Sequence, residues 1–271
     1  LIIVYNQCLK MKSRINTVIK LLLRLPSYFL IKLIFIYEEI INLILPRIAG
    51  ILRQDIISKI DNDFETIKHL TNDNLIQFKV YTPNQLCKFR YQSFSYKEPE
   101  ILEWINNFGG SGAFYDIGAN IGLYSIYFAK LKKGNVYSFE PSVFNLRQLA
   151  KNISLNEMSS QITIIPNPLS NLTGSADFIN GNSDEGGALS AFGVDYGYDG
   201  KPMNSDIKYN LLGFSLDDLY KKEIIIEPPN LIKIDVDGTE HKILEGAKEI
   251  LSLNSCKSVY IEVNEDFIEQ S

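Results

Sequence analysis

The stretch Ala113-Phe-Tyr-Asp-Ile-Gly-Ala-Asn-Ile-Gly122 decides the fold, because an apolar run there meets a turn that contains two glycines. The run predicts a buried strand over 113–118, and the residues after the turn predict a helix over 122–132. Further strands are predicted at 135–140, 162–166, 231–236 and 258–264, and further helices at 143–152 and 239–251. Such alternation favours an α/β fold, a mostly parallel, Rossmann-like sheet with helices on both faces.

The turn in this stretch argues against a dinucleotide ligand. A turn that binds a pyrophosphate has the pattern G-x-G-x-x-G, because glycine lets the backbone approach the phosphates. Asn120 stands where the second glycine would be, and no third glycine follows at the required place. S-adenosylmethionine (SAM) has no pyrophosphate. We expect Asp116 to attract its ammonium and the turn amides at the helix N-terminus to take its carboxylate.

Acidic residues lie at the carboxyl ends of four of the predicted strands, at Asp116, Glu140, Asp235 with Asp237, and Glu262. The ligand crevice of an open α/β sheet lies outside the carboxyl ends of its strands, so these side chains should meet there. Glu140 lies 24 residues after Asp116, where this architecture places the acid that accepts the ribose hydroxyls. Any one of these acids could instead cap the helix that follows it.

The predicted strand at 231–236 is charged on one face. Lys233, Asp235 and Asp237 alternate with apolar residues, and such a face inside a sheet needs paired partners. Lys233 would neutralise Asp235 as a buried ion pair. Asp237 and Glu240 also fit a capping box with Asp237 as the N-cap, and capping and catalysis remain equal alternatives for both residues.

Three segments resemble the FkbM-type family of SAM-dependent methyltransferases: 114–125 around Asp-Ile-Gly-Ala-Asn, Val136-Tyr-Ser-Phe-Glu-Pro141, and 232–247 around Lys-Ile-Asp-Val-Asp-Gly-Thr-Glu. The resemblance covers residues ~110 to the end and implies a class I methyltransferase fold. It implies O-methylation, most often of a sugar hydroxyl in a glycan or natural product. It also implies a SAM site formed by Asp116, Gly118, Ala119, Asn120, Gly122 and Glu140. Asp237 departs from the family's usual glutamate.

Methyl transfer to a hydroxyl benefits from a general base. Asp235, at a strand end that faces the crevice, is the first candidate, and His241 is the second because a neutral imidazole is a good base near pH 7. Glu240 is a third candidate. A divalent metal such as magnesium, held by Asp235, Asp237, Glu240 or Glu262, could instead acidify the hydroxyl.

Two other classes of function stay open for this sequence. One is a catalytically silent SAM-binding or scaffold protein whose N-terminal helices recruit partners. The other is a nucleotide-sugar or NAD-binding Rossmann enzyme.

Residues 1–60 are rich in Leu and Ile and contain almost no glycine. Their most apolar part, 21–45, is interrupted by four charged residues, Arg24, Lys32, Glu38 and Glu39. A membrane-spanning helix needs ~20 nearly uncharged residues, so we expect none. One interpretation is a pair of amphipathic helices, broken near Pro26 and Pro46, that pack on the core or on a partner chain. The other is a helix that lies in the membrane interface.

A β-hairpin is predicted over 74–94, with its turn at Thr82-Pro83-Asn84, because apolar and polar residues alternate there. A helix is predicted over 98–108, with Pro99 in its first turn, where proline is tolerated. The glycines at 109–112 then mark a boundary.

The region 167–210 is predicted to be irregular, and its part 180–200 is long enough to form a lid or acceptor loop over the site. We therefore divide the chain into an N-terminal helical segment, a hairpin with a lead-in helix, and a SAM-binding domain, at 1–70, 71–110 and 111–271.

The net charge of −5 argues against nucleic acid as a main partner. The chain has three cysteines and two histidines and no C-x-x-C pair, so a zinc site is not expected, and free thiols are typical of a reducing cytoplasm. An oligomer is compatible with the sequence. The chain starts with Leu1 and stops soon after a predicted strand, so we expect it to be a piece of a longer protein.

Overall fold

The computed structural model describes residues 24–46, 48, 50–71, 74–110 and 112–263. The chain divides into two units, Leu1–Asp61 and Asn62–Ser271. This division falls between residues 61 and 62 rather than at the predicted boundaries near 70 and 110. The hairpin and the lead-in helix thus belong to the same unit as the α/β domain.

The first unit contains two helices in its described part, α1 at residues 24–44 and α2 at Ile51–Asp61. The predicted N-terminal helical segment is confirmed, but Pro26 lies within α1 instead of breaking it. No residue of α2 is buried, and the packing of these helices on the core or on a partner chain stays a prediction. Most large apolar side chains of α1 are exposed, Leu43 to 86%. In the described residues, no helix is long and apolar enough to cross a membrane.

Parts of three predictions lie outside the described residues. They are the first 23 residues of the N-terminal segment, the thiol of Cys8, and the end of the last strand at residue 264. Cys87 and Cys256 are free thiols.

The second unit begins with an antiparallel hairpin of β1 (Phe64–Leu70) and β2 (Leu75–Tyr81). Helices α3 (Gln85–Ser93) and α4 (Pro99–Asn107) follow. The predicted helix at 98–108 is confirmed, but the predicted hairpin turn at residues 82–84 is wrong. Asn84 instead caps α3, since its side chain accepts a hydrogen bond of 2.9 Å from the amide of Cys87.

A five-stranded parallel sheet forms the centre of this unit, in the order β10-β9-β3-β4-β5. Its strands are β3 (Ala113–Ile117), β4 (Val136–Phe139), β5 (Ile162–Ile165), β9 (Pro229–Ile234) and β10 (Ser258–Ile261). The helices α5 (Leu123–Lys132), α6 (Val143–Leu155) and α7 (Leu216–Lys221) connect them, with α8 (Glu240–Glu245) and α9 (Lys248–Ser252) near the end. Buried apolar clusters lie on both faces of the sheet, so the predicted α/β fold is confirmed.

The region 167–210, predicted to be irregular, contains a second sheet. Strands β6 (Gly174–Ile179), β7 (Ala191–Phe192) and β8 (Lys208–Gly213) pair antiparallel in the order β7-β6-β8. Glycines and short strands hide this pattern in the sequence.

The single helix predicted at 239–251 is divided into α8 and α9 around Gly246. A Cβ atom on Gly246 would lie 2.2 Å from the carbonyl oxygen of Ser170, so only glycine allows the chains to approach here.

Parallel pairing brings the carboxyl ends of β4, β3, β9 and β10 to one edge of the sheet. In the register of β3 and β9, Asp116 lies opposite Lys233. Glu140 directly follows β4, and Glu262 directly follows β10. The predicted meeting of the strand-end acids therefore follows from the sheet order.

Candidate active site

A cavity of about 220 Å³ opens at this edge of the sheet. Five of the nine predicted site residues line it: Gly118, Ala119, Asn120, Glu140 and Asp235. The other four are not among the described residues that line it: Asp116, Gly122, Glu240 and His241. The region α3–α4 forms part of the wall, which the sequence did not predict, through Arg90, Ser93, Phe94, Lys97 and Glu98.

The two glycines of the turn after β3 allow close packing. Gly118 has φ +79°, and a Cβ atom there would lie 1.8 Å from the carbonyl oxygen of Asp235. Gly122 has φ +85°, and a Cβ atom would lie 2.4 Å from Cδ1 of Leu149. Both positions need glycine because other residues would be strained in this conformation and would clash. Gly122 thus has a packing role behind the cavity.

The backbone amides of this turn are already occupied. Each of the five amides from Gly118 to Gly122 donates a hydrogen bond of 2.8–3.0 Å within the protein. Their acceptors are the carbonyls of Phe139 and Ala119, the carboxylate of Glu140 and the side chain of Asn120. In this conformation they do not offer the donors that we expected for the carboxylate of SAM.

Glu140 is 5% exposed and lines the cavity at the end of β4. Its two carboxylate oxygens accept hydrogen bonds of 2.8 Å from the amides of Asn120 and Ser142. Burial raises its pKa to about 7, although these amides and the Asn145 side chain oppose the shift. A carboxylate has about four lone-pair sites, so Glu140 can still accept from the hydroxyls of a ribose.

Asp116, Lys233 and Asp235, which we call the Lys233 triad, join the ends of β3 and β9. Lys233 is 1% exposed, and its Nζ lies 3.0 Å from Oδ2 of Asp235 and 3.5 Å from Oδ1 of Asp116. The Ser125 hydroxyl donates to Oδ2 of Asp116 over 2.6 Å. Asp116 is 0% exposed. It does not line the cavity, and its charge is paired with Lys233 instead of being exposed to the ammonium that it was expected to attract.

Charge coupling within the triad keeps Asp235 ionised. Burial by itself would lower the pKa of Lys233, but the carboxylates of Asp235 and Asp116 outweigh it and raise that pKa. Burial would raise the pKa of Asp235, but the Lys233 ammonium and a hydrogen bond from Glu262 together outweigh it and lower that pKa. The predicted buried ion pair is confirmed. It leaves a carboxylate whose side chain is 28% exposed and which lines the cavity.

Glu262 adds a second carboxyl group beside Asp235. The protonated Glu262 carboxyl donates a hydrogen bond to Asp235, and this bond, together with burial, raises the pKa of Glu262 to about 8. The two carboxyl groups thus hold one proton between them at neutral pH. Our sequence interpretation considered Glu262 only as a metal ligand.

Asp237 holds the region 180–200 against the site. It has φ +62°, and its Oδ2 accepts hydrogen bonds from the amides of Leu189 (2.7 Å) and Ser190 (3.2 Å). Burial, followed by the charge of Asp235, raises its pKa. In the part of the chain that the structure describes, no group of three or more His, Cys, Asp or Glu side chains could hold a metal ion. The metal that we considered is therefore unsupported.

Glu240 and His241 do not reach the cavity. Oε1 of Glu240 accepts from the amides of Val236 (3.1 Å) and Gly238 (3.2 Å), so this residue closes the turn before α8, but not through the predicted capping box. The N-cap of α8 is Thr239 rather than Asp237, which corrects that prediction. The Nδ1 atom of His241 is buried and has no hydrogen-bond partner among the described residues.

Glu98 and Tyr124 form a contact in the wall of the cavity that the sequence did not predict. Glu98 is the N-cap of α4, but its side chain does not cap the helix. It accepts a hydrogen bond of 2.6 Å from the Tyr124 hydroxyl and pairs with Lys97. Burial and then Glu98 raise the pKa of Tyr124, which therefore stays a donor. Glutamate is an unusual N-cap residue, so Glu98 before Pro99 was the one feature of the sequence that could have indicated this contact.

The groups that line the cavity suit SAM. Glu140 can accept from ribose hydroxyls, and the apolar side chains Ile117, Phe139 and Phe178 can contact an adenine ring. Asp235 offers negative charge to a cation. The side chains present therefore fit a ligand that combines a nucleoside with charged groups.

Comparison with known proteins places the chain in a family. The model of the methyltransferase FkbM domain matches residues 116–270, more than half of the chain. A search of curated proteins finds no match.

Solved structures with some similarity are methyltransferases. Precorrin-6y C5,15-methyltransferase from Geobacter metallireducens is 13% identical over 64% of each chain, with a TM-score of 0.37. An rRNA methylase from Streptococcus thermophilus is 11% identical over 63% of this chain and 72% of that chain, with a TM-score of 0.36. The N-terminal domain of human METTL16, in complex with SAH, is 19% identical over 32% of each chain, with a TM-score of 0.22.

Because these structural similarities are low, the assignment depends on the family match and on the sheet and cavity described above. The match includes the turn after β3, Glu140 and Asp235. The chain belongs to the FkbM methyltransferase domain family and is, by family, a SAM-dependent methyltransferase.

Proposed function

We propose that the protein transfers the methyl group of SAM to a hydroxyl oxygen, that of a sugar in a glycan or natural product. One observation carries the proposal: an ionised carboxylate, Asp235, lines the same cavity as the ribose-binding candidate Glu140. A nucleoside-binding group and a proton acceptor thus lie in one cavity.

Bound SAM supplies an electrophilic methyl group on its sulfonium. The protein's residues hold the two reactants in line, and most of the rate gain is expected from this positioning. As the new C–O bond forms and the S–C bond breaks, Asp235 accepts the hydroxyl proton. Lys233 keeps Asp235 ionised for this step, and Glu98 with Tyr124 borders the space for the acceptor.

Two experiments test this function. Calorimetry with SAM and NAD should show binding of SAM only, and binding of NAD without SAM would support a Rossmann enzyme of another class. Methyl-labelled SAM is then incubated with a panel of sugars, oligosaccharides and hydroxylated natural products. We expect the label in an alkali-stable methyl ether, identified by NMR. Label on nitrogen, sulfur or an ester would contradict O-methylation, and SAM binding without any turnover would support the silent-binding alternative.

We also propose that the N-terminal unit attaches to an anionic membrane surface. Residues 1–60 contain nine Lys and Arg against three Asp and Glu, a net charge of +6, whereas the rest of the chain carries −11. Exposed apolar side chains on α1 supply the apolar contact that interfacial binding needs. Basic residues are attracted to anionic lipids over about a Debye length.

Vesicle flotation of the full chain tests the attachment. We expect flotation with vesicles that contain phosphatidylserine and its loss in high salt. Leu43→Asp, at an 86% exposed position, should weaken it, whereas Leu70→Asp, at a 75% exposed position in β1, should not. Equal flotation of both variants, or none by the wild type, would contradict the attachment.

A further inference from the structure

We propose that Arg90 binds the carboxylate of the methionyl part of SAM. Arg90 lies on α3, outside residues 116–270 that the family model matches, so the family does not assign it a role. The inference depends on the proposed use of SAM and adds a contact from the region before the methyltransferase domain.

The charges around the cavity single out Arg90. Three cationic side chains line it, and two are neutralised: Lys97 pairs with Glu98, and Lys233 belongs to the triad. Arg90 forms no ion pair with any described carboxylate. Its Nε donates to the carbonyl of Gly186 over 2.6 Å, which leaves the two terminal nitrogens for a ligand.

Asp237 is a carboxylate close enough for the charge of Arg90 to lower its pKa, so it is the candidate ion-pair partner of Arg90. The Asp237 oxygen nevertheless bonds to the amides of Leu189 and Ser190 instead. A guanidinium in the wall of a cavity, without a carboxylate partner, is suited to bind an anion through two parallel hydrogen bonds.

Hydrogen bonds connect Arg90 to the cofactor turn through two residues. Gly186 receives the Arg90 bond, and the carbonyl of the next residue, Gly187, accepts from Nδ2 of Asn120 (2.6 Å) and Nδ2 of Asn145 (3.1 Å). Asn145 also accepts from the amide of Gly186 over 2.9 Å. The guanidinium is thus fixed near the turn where the methionyl end of SAM is expected.

The turn after β3 cannot supply the donors for this carboxylate, so a donor from elsewhere is needed. Its five amides from Gly118 to Gly122 already donate to protein acceptors, so a carboxylate placed there finds no free amide among them. Two alternatives remain. The first amides of α5 could bind the carboxylate of SAM instead of Arg90, or Arg90 could bind an anionic methyl acceptor instead of SAM. Comparing the binding of two cofactor analogues, one with and one without the carboxylate, distinguishes the proposal from both alternatives.

Calorimetry measures binding of S-adenosylhomocysteine and of 5′-methylthioadenosine, which has the same nucleoside but lacks the amino-acid part. We expect Arg90→Gln to weaken S-adenosylhomocysteine binding roughly 10- to 100-fold, as for the loss of a charge-assisted hydrogen bond. Binding of 5′-methylthioadenosine should change less than about twofold. Arg90→Lys keeps the charge and should lose less than Arg90→Gln.

Lys88→Gln is the matched control, because Lys88 is an exposed cation on the same helix. It should leave both ligands unaffected. The proposal is overturned if Arg90→Gln weakens both ligands equally, which would indicate a loosened region around Gly186, or weakens neither, which would leave the carboxylate to the α5 amides. If the wild type binds neither ligand, the result contradicts the proposed use of SAM itself and is distinct from a failure of the Arg90 proposal.

Discussion

Asp116 and Asp235 follow the same pattern in the sequence and end in different environments. Both lie at the end of a strand, on neighbouring strands, and both pair with the ammonium of Lys233. Asp116 is 0% exposed, whereas the side chain of Asp235 is 28% exposed and lines the cavity. An acid at a strand end can therefore be buried within the sheet or line the cavity, and its three-dimensional neighbours decide which.

The cause of the difference lies in the neighbours. Asp116 still belongs to β3, in the centre of the sheet, where the Ser125 hydroxyl from α5 covers it. Asp235 follows the last residue of β9, so its side chain is at the edge of the sheet, beside Glu262. One lysine thus connects a fully buried carboxylate to one that lines the cavity.

Replacing Asp235 tests its proposed catalytic role, and among the proposed substitutions it should have the largest effect, on kcat. Asp235→Asn removes the proton acceptor but keeps the shape, so we expect kcat to fall about 10²- to 10⁴-fold. The measurement is transfer of labelled methyl to the acceptor found with the sugar panel. Because the buried Lys233 ammonium keeps Asp116 as a partner at 3.5 Å, the free energy of unfolding should fall less than in Lys233→Met. A variant that keeps most of its kcat would show that the base has been assigned to the wrong residue.

Removing the lysine that the two carboxylates share should have the next largest effect. Lys233→Met leaves two carboxylates close together without their cation, and we expect a loss of about 3–5 kcal/mol in the free energy of unfolding. Urea unfolding followed by the fluorescence of Trp104 measures it. Lys248→Met, at an exposed position, is the control and should change little.

A second substitution shows which carboxylate destabilises the protein more when the lysine is absent. Adding Asp116→Asn to Lys233→Met should recover part of the lost stability, because the fully buried carboxylate is then neutral. Adding Asp235→Asn should recover less, since water reaches that side chain. Equal recovery in the two double variants would contradict the difference between Asp116 and Asp235.

Local patterns in the sequence were sufficient for the frame of the site. The apolar run and glycine turn at 113–122 predicted β3 and α5, and the spacing from Asp116 predicted that Glu140 would lie in the cavity. Asp235 was predicted because strand order brings carboxyl ends together. These features depend on short segments and on the regular pairing of a parallel sheet.

Features that depend on distant partners were not predictable in this way. The turn amides are occupied by acceptors that include a carbonyl of the next strand, Phe139, which no local pattern reveals. Arg90 was hidden because alternation over 74–94 suggested a strand where Asn84 begins a helix. The burial of Asp116 depends on Ser125 and on Lys233, over a hundred positions later in the chain.

Glu140 is the third strand-end acid and extends the comparison, since it is buried like Asp116 but lines the cavity like Asp235. With its pKa raised to about 7, it loses its charge as the pH falls through 7. If Glu140 binds the ribose as proposed, its ionised form accepts from both hydroxyls, and binding of S-adenosylhomocysteine should weaken by up to about tenfold from pH 8 to pH 6. Calorimetry across this range measures the change.

Two variants distinguish Glu140 from the other carboxyl group that titrates nearby. Glu140→Gln should bind weakly with a flat pH profile, whereas Glu262→Gln should keep the wild-type profile, because the pKa of Glu262, about 8, belongs to the pair with Asp235. Binding of 5′-methylthioadenosine should follow the same pH dependence, since it retains the ribose. A profile that disappears in Glu262→Gln instead would assign the titration to the acceptor side, and Glu140 would then resemble Asp116 as a structural acid.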